Sequence, residues 1–372
     1  MPVRLTKLQA WFMIILVMLI ISFLWLIREV APAPLSDKEK IVIETLFDKV
    51  KPQCIGRYLI DVPASFNNQL QDKIFIDDFK IESKFIYPPA FRQRIELREK
   101  ELIERTTSKE NTPVLKEVIQ LPDGKGVIFD SNRSGKDDAY RTLEAHVYDN
   151  HIAFIITTNI LDLSAPKYAD EKKSYIEISG FSEIETNTRP TKLASMQSLI
   201  ARLSGRLDHV VPTEKGVCIP NGFILDDDNN KQKEDIYFLY GNSDFSLAIN
   251  MDHHETPQDE ILLNKSFEIK KAMALNNMHT FKKGEIKPNG VPAQEWLMYG
   301  RQKVYNEENK EESGFPYYSF LLKVNQGTSS FAKPFLSITL FNNDKETTYS
   351  DAEMVEIWDR IVGSLRYKPN AF

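Results

Sequence analysis

Two stretches of the chain share one reading: Cys54-Ile55-Gly56-Arg57-Tyr58-Leu59-Ile60-Asp61 and, 164 residues further on, Cys218-Ile219-Pro220-Asn221-Gly222-Phe223-Ile224-Leu225-Asp226. Each places a Cys-Ile pair before a turn and an apolar run that closes on Asp, with one inserted residue in the second copy. A second pair of segments, Leu199 to Leu207 and Ile357 to Leu365, aligns Arg202, Gly205 and Leu207 with Arg360, Gly363 and Leu365, 158 residues apart. Two matches at nearly one spacing are the mark of internal duplication. The chain is expected to hold two similar units in tandem.

The elements between these markers follow the same plan in each unit. In the second, Ile236 to Tyr240 and Phe245 to Asn250 are rich in aromatic and β-branched residues, and Gly241 to Asp244 turns one into the other as a hairpin. Leu262, Leu263, Phe267, Ile269, Ala272, Met273 and Leu275 then fall on one side of a helix that Asn276-Asn277 ends. Strands are predicted over Ala293–Gln302, Tyr317–Val324 and Phe335–Phe341, and Ser350 with Glu353 forms a capping box for a last helix lined by Met354, Ile357, Trp358, Ile361 and Leu365. In the first unit Pro88-Pro89 starts a helix through Arg105 carrying Phe91, Ile95, Arg98 and Leu102. Strands follow at Val127–Phe129, Tyr140–Val147 and Ile152–Thr158, with a tight turn at Asp149-Asn150, and Leu193, Met196, Leu199, Ile200 and Leu203 mark the closing helix. The expected fold class is α+β: two structurally similar lobes, each an antiparallel β-sheet with helices packed on one face. Pro212 to Gly216 reads as the joint, which gives residues 1–34 as anchor and linker, 35–212 as the N-terminal lobe and 213–372 as the C-terminal lobe.

The anchor is the uncharged apolar run Ala10 to Ile27, whose eighteen residues as a helix would span roughly 27 Å, close to the hydrocarbon thickness of a bilayer. Arg4 and Lys7 precede it, whereas Arg28 is followed at once by Glu29 and a mixed-charge stretch, so the positive-inside rule leaves the short end in the cytoplasm. The expectation is one transmembrane helix in the inner membrane with the body in the periplasm. Pro follows both Ala31 and Ala33, a poor cleavage site, so a retained anchor is preferred to a cleaved signal. Net charge of −6, with basic residues interspersed among acidic ones, excludes a concentrated phosphate-binding face and argues against nucleic acid. An external compartment permits Cys54 and Cys218 to pair, but a chain of 372 residues does not require one bridge, and two buried free thiols are the preferred reading.

Tests for enzyme chemistry fail. No Gly-x-Ser-x-Gly elbow occurs, and Gly124-Lys125-Gly126 lacks the spacing of a phosphate loop. Asp252-His253-His254-Glu255 concentrates metal-ligating types, yet Pro257 interrupts any helix and Gln258 stands where a second zinc-binding histidine belongs. Asp226-Asp227-Asp228-Asn229-Asn230 starts like a calcium loop, but Lys231 replaces the required Gly and Tyr237 the closing Glu. That run and Asn306 to Gly314 read as polar loops. No catalytic residue, cofactor or metal site is expected.

Cys54 to Pro63, Cys218-Ile219 with Gly222-Phe223-Ile224, Glu295-Trp296-Leu297, and Ile357 to Ile361 with Ser364-Leu365-Arg366 together resemble the type VI secretion system lipase-effector immunity family (Tli immunity proteins), the inhibitors of class-four antibacterial phospholipases. The resemblance runs from about residue 50 to 368. It implies a claw-like pair of lobes that binds and neutralises a cognate phospholipase effector in the periplasm without catalysis. It departs from the family in the retained anchor, with no lipid-acceptor Cys near residue 28. Scaffold-borne loops are the expected contacts: Ser131–Ala139 with Asp137 and Asp138, Asp226–Asn230 with Asp226, Asp227, Asp228 and Asn230, and Asn306–Ser313 with Glu307 and Glu308. The alternatives are a membrane-anchored periplasmic assembly or envelope-maintenance binding protein, and an enzyme centred on Asp252 to Glu255.

Overall fold

The structure, a computed structural model, describes residues 29–69, 73–227, 232–253, 255–306 and 311–372. The first half opens with α1 (Asp37–Phe47) and the hairpin β1 (Val50–Ile55) and β2 (Tyr58–Pro63), followed by β3 (Asn67–Asn68), β4 (Lys73–Ile76) and β5 (Phe79–Phe85). It continues through α2 (Pro88–Glu104), β6 (Leu115–Gln120), β7 (Gly126–Asn132), β8 (Tyr140–Asp149) and β9 (Ile152–Leu161) to α3 (Ala169–Glu177), α4 (Arg189–Arg202) and β10 (Leu203–Gly205). The second half opens with the hairpin β11 (Gly216–Ile219) and β12 (Gly222–Leu225), then β13 (Glu234–Gly241), β14 (Ser246–Asp252) and α5 (Ser266–Leu275). It closes with β15 (His279–Ile286), β16 (Ala293–Asn306), β17 (Glu311–Val324), β18 (Phe335–Phe341), α6 (Asp351–Gly363) and β19 (Arg366–Tyr367). Among the described residues no helix is long and apolar enough to cross a membrane; Ala10 to Ile27 lies outside them.

The duplication is visible in strand order. One half runs β6-β7-β8-β9-β5-β4 and the other β15-β16-β17-β18-β14-β13, every neighbour antiparallel, and the two series meet at β4 and β13. The expected pair of sheets is therefore one continuous sheet, folded about a local two-fold relation at that seam. Each half would otherwise end in an open edge with unsatisfied N–H and C=O groups, and pairing the two edges satisfies both. Side-chain alternation carries across the junction: Ile74 faces Ile236 on the core side, while Phe75 faces Asp235 on the other. Ile74, Ile76, Ile236 and Phe238 are all essentially inaccessible, and one hydrophobic core runs through both halves.

The halves also exchange their opening hairpins. The β1–β2 pair, from the first half, takes β19 from the end of the second, whereas β11–β12 takes β10 from the end of the first. Cys54 and Cys218 are joined in a disulfide, contrary to the preference for free thiols, and Gly56 and Cys218 exchange two backbone hydrogen bonds of 2.8 and 2.9 Å beside it. Both cysteines lie in identical places in exchanged hairpins that abut each other, which the linear spacing cannot reveal. Buried Arg206 binds the junction without a carboxylate, donating to the carbonyls of Cys54, Ile219 and Gly222. The expected joint is pinned as well, since Lys368 and Asn370 donate to the carbonyls of Glu214 and Thr213.

Structure corrects the frame of both repeats. Cys54 pairs with Leu59 as Cys218 pairs with Phe223, so the hairpins superpose without an inserted residue. At the helix ends, Leu203 and Leu365 occupy equivalent positions, as do Met196 and Trp358, Leu199 and Ile361, and Ile200 and Val362. The sequence alignment is thus displaced by four residues. A slip of about one turn keeps the same helix face inward, so periodicity cannot detect it. The capping box of α6 forms as expected and is joined by an unforeseen one at Ser36 and Glu39 of α1, with the Ser350 hydroxyl donating to Glu39 over 2.6 Å. The β8–β9 turn falls at Asn150-His151, both at positive φ, one residue later than predicted.

The largest departure is in the stretch read as an exposed loop. β16 and β17 stay in register from Ala293↔Val324 to Asn306↔Glu311, past the ends of their flanking strands. Beyond Tyr299 and Tyr318 their strand pairing is only with each other, making a two-stranded arm whose base is tied to the segment after β18 through Gln302 and Asn342. The first half has no such arm, because β6 and β9 cover nearly all of β7 and β8. Polar composition fits a solvated ladder as well as a loop.

A shared sheet and core predict one cooperative unfolding transition in urea, seen alike by tryptophan fluorescence and circular dichroism. Ile236→Ala at the seam should move that whole transition with a loss of about 2–5 kcal/mol; two transitions, only one displaced, would show independent lobes.

Candidate functional site

Glu234 begins β13 opposite His253, and Arg57 reaches them from the β1–β2 turn. The Arg57 guanidinium makes a fork to Asp226, with Nη1 and Nη2 at 2.9 and 2.8 Å from its two oxygens. Nη2 also donates to Glu234 over 2.7 Å and Nη1 to the carbonyl of Ala371 over 2.7 Å. Burial opposes the charge on Arg57, but Asp226 and Glu234 outweigh it and raise its pKa. This ion cluster ties the first hairpin, the second hairpin, the seam strand and the C-terminus to one another. It is structural.

Next to it lies a groove of about 840 Å³ at the end of the seam strands. Asp77, Asp235, Asp252 and Glu255 give it an acidic lining, with Lys233 the lysine among them, and Phe75 and Phe331 are its exposed aromatic rim, 39% and 41% accessible. Asp235 and Asp252 are close enough to interact at the ends of β13 and β14, each one residue beyond the Ile236↔Met251 pair. Burial and the Asp252 charge raise the carboxyl of Asp235, with Lys73 acting the other way. His253 packs against Phe331 at 4.9 Å between ring centroids, and its Nε2 is 3.5 Å from Glu234. Two neighbouring acids, offset in part by Lys73 and Lys323, suit a basic partner surface rather than proton transfer.

The expected contact residues divide sharply. Asp226 is committed to Arg57. Asp138 is held by Lys167, Tyr168 and Lys116 at 2.7, 2.5 and 3.0 Å; burial opposes its charge, but these donors prevail and keep its carboxyl down at about 2. Both aspartates hold loops in place instead of facing outward. Asp137 is exposed at the tip of its loop, and Asp227 is half-buried beside α4. Asp228, Asn230, Glu307 and Glu308, and His254 of the Asp252 to Glu255 cluster, lie outside the described residues. Among the described residues no three His, Cys, Asp or Glu side chains are placed to hold a metal. Sequence reasoning missed Phe75, Asp235 and Phe331. The alternation of β13, polar at Asp235 and apolar at Ile236 and Phe238, signalled an outward acid there, but nothing local announced its neighbours from β4 and β14.

Residues 51–206 match the family profile of the Tle cognate immunity protein 4 N-terminal domain, and residues 210–370 that of its C-terminal domain. The chain belongs to the Tle cognate immunity protein 4 family. It is an immunity protein, not an enzyme. Its fold is that of a solved Tle4-Tli4 complex, matched at TM-score 0.63 and 20% identity over 87% of this chain and 98% of the other. The apo immunity protein TplEi of the type VI secretion system of Pseudomonas aeruginosa gives the same figures. TplEi bound to an "L" peptide matches at TM-score 0.59 and 18% identity, over 86% and 98%. No curated protein sequence matches the chain significantly.

Removing Arg57 leaves Glu234 buried and uncompensated, so Arg57→Ala should lower stability by about 3–5 kcal/mol in urea denaturation; a loss within experimental error would show that the cluster does not hold the hairpins. A second buried cluster sets a pH dependence. Glu144 is opposed by burial, yet His146 and the Arg98 fork at 2.9 and 2.7 Å hold its carboxyl at about 2, below its ordinary 4.5. The stabilisation is complete above the ordinary value and is lost as pH falls through the lowered one. Acid denaturation from pH 4.5 toward 2 should therefore cost the native protein more than Glu144→Gln; parallel curves would refute this.

Proposed function

We propose that this immunity protein is held in the inner membrane through residues 10–27, carries its body in the periplasm, and neutralises a cognate phospholipase effector by gripping it at the groove between its halves. Residues 35–212 and 213–372 serve as the two jaws in this reading, with residues 1–34 as anchor and linker. The observation that carries it is the acidic groove with its exposed Phe75 and Phe331 at the seam. Buried aromatic anchors ringed by charge are where interface energy concentrates, and a complementary basic surface on the effector would be steered into place. The β16–β17 arm and the loop bearing Asp137, with Asp227, supply the outer contacts, together with Asp228, Asn230, Glu307 and Glu308. A sheet braced by a disulfide and by exchanged hairpins can bind without refolding. The inhibitor acts by occlusion, and needs no reactive group.

The test is binding of the purified effector by the full-length protein, read by interferometry, together with survival of cells that receive the effector in the periplasm. Asp235→Lys with Glu255→Lys, and separately Phe75→Ala with Phe331→Ala, should each weaken binding roughly 10–100-fold and abolish protection, while thermal stability holds. Unaltered affinity in both folded variants would exclude the seam groove as the grip.

A further inference from the structure

Helix α5 presents apolar side chains on two faces, and the core uses one of them. Ile269 and Met273, with Leu262 and Leu263 from the preceding turn, pack on Trp296 and Met298. The other face follows the i, i+4, i+7, i+8 spacing through Phe267, Lys271, Ala274 and Leu275, three apolar side chains and one lysine stem. Phe267 and Leu275, both assigned by periodicity to the buried side, are instead 71% and 78% exposed. Between this stripe and β15 lies an apolar groove of about 460 Å³ that ends at Thr280. Lys270 and Lys271 border it, Lys283 of β15 is engaged with the Ser266 hydroxyl and the Trp296 ring, and Glu268 is the exposed acid of the helix. A large exposed apolar patch edged by cations calls for an occupant.

The start of the described chain indicates which. The Val30 amide donates to the Thr280 carbonyl over 3.0 Å, so the polypeptide joins the body at this groove, on the outermost strand of the second half. Ile27 is three residues earlier, and three extended residues reach at most about 10 Å. If Ala10 to Ile27 spans the bilayer, the groove must then lie within about that distance of the hydrocarbon boundary. We propose that the outer face of α5 is a membrane-docking surface, with Phe267, Ala274 and Leu275 in the headgroup region and Lys270 and Lys271 against anionic lipid. It rests on the reading of residues 10–27 as an anchor. Interfacial helices elsewhere combine the same two features, an apolar face and flanking lysines.

The experiment uses the full-length chain reconstituted in phosphatidylethanolamine–phosphatidylglycerol vesicles. Ala274→Cys, and Lys100→Cys on α2 as a control, carry the environment-sensitive fluorophore NBD, with and without spin-labelled lipid. Emission at position 274 should shift to the blue and fall at least about twofold on spin-label addition, while position 100 is unaffected. Phe267→Ser with Leu275→Ser in the Ala274→Cys background should restore water-like emission. Alkaline extraction of the same vesicles tests the anchor separately. Protein retained but unquenched at 274 overturns the docking and leaves the anchor standing; protein released yet quenched before extraction supports docking and overturns the anchor; released and unquenched overturns both.

Discussion

A guanidinium cannot be left bare in an apolar interior, and satisfying Arg57 requires three remote segments to meet. Asp226 comes from the second hairpin, Glu234 from the seam strand and the Ala371 carbonyl from the C-terminus. Each partner is more than 150 residues away in the chain, so the cluster can form only when the hairpins have been exchanged. A buried ion cluster adds less net stability than its Coulomb attraction suggests, because both signs are stripped of water. Its contribution here is to specificity: an arrangement without the exchange strands a charge.

The duplicated halves are alike in strand order and unlike at the hairpin turns and at the β16–β17 arm. The turn that carries Arg57 carries Asn221 in the other hairpin, and the junction there is completed by Arg206 with carbonyl acceptors alone. Pro122-Asp123-Gly124 and Pro288-Asn289-Gly290 make the same turn before β7 and β16, both with the central residue at positive φ. The arm then extends β16 and β17 in one half only. Symmetry therefore resides in the core, and the surface has diverged from it.

This division explains how much could be read from the chain. The buried face of α6, the Ser350 capping box and the β13–β14 hairpin depend on residues within a few positions of each other, and they were legible, whereas on α5 Phe267 and Leu275 face outward against the periodic reading. The Pro-Asp-Gly and Pro-Asn-Gly turns were a further signal of the duplication, 166 residues apart. The β4–β13 seam was not legible, because edge strands with alternating apolar residues do not name their partners. For the same reason the groove was invisible: Phe75, Asp235 and Phe331 meet only after three chain segments have been brought together. Asp138 and Asp226 looked like free loop acids because their cations, Lys116, Lys167 and Arg57, arrive from elsewhere.

A continuous sheet has a mechanical consequence for an inhibitor of this kind. Two lobes on a flexible joint would close around a partner at the expense of conformational entropy, whereas strands joined through β4 and β13 hold the groove open before the partner arrives. The position of the second-half edge adds orientation. From β15 to β13 there are five strand spacings, roughly 24 Å along the sheet. Were β15 and α5 to rest on the bilayer as proposed, the groove would stand that far along the sheet from the membrane edge, and the first half farther still. A lipase bound there would have its inhibitor between it and the membrane it attacks, so tethering would contribute to protection by position as well as by occlusion.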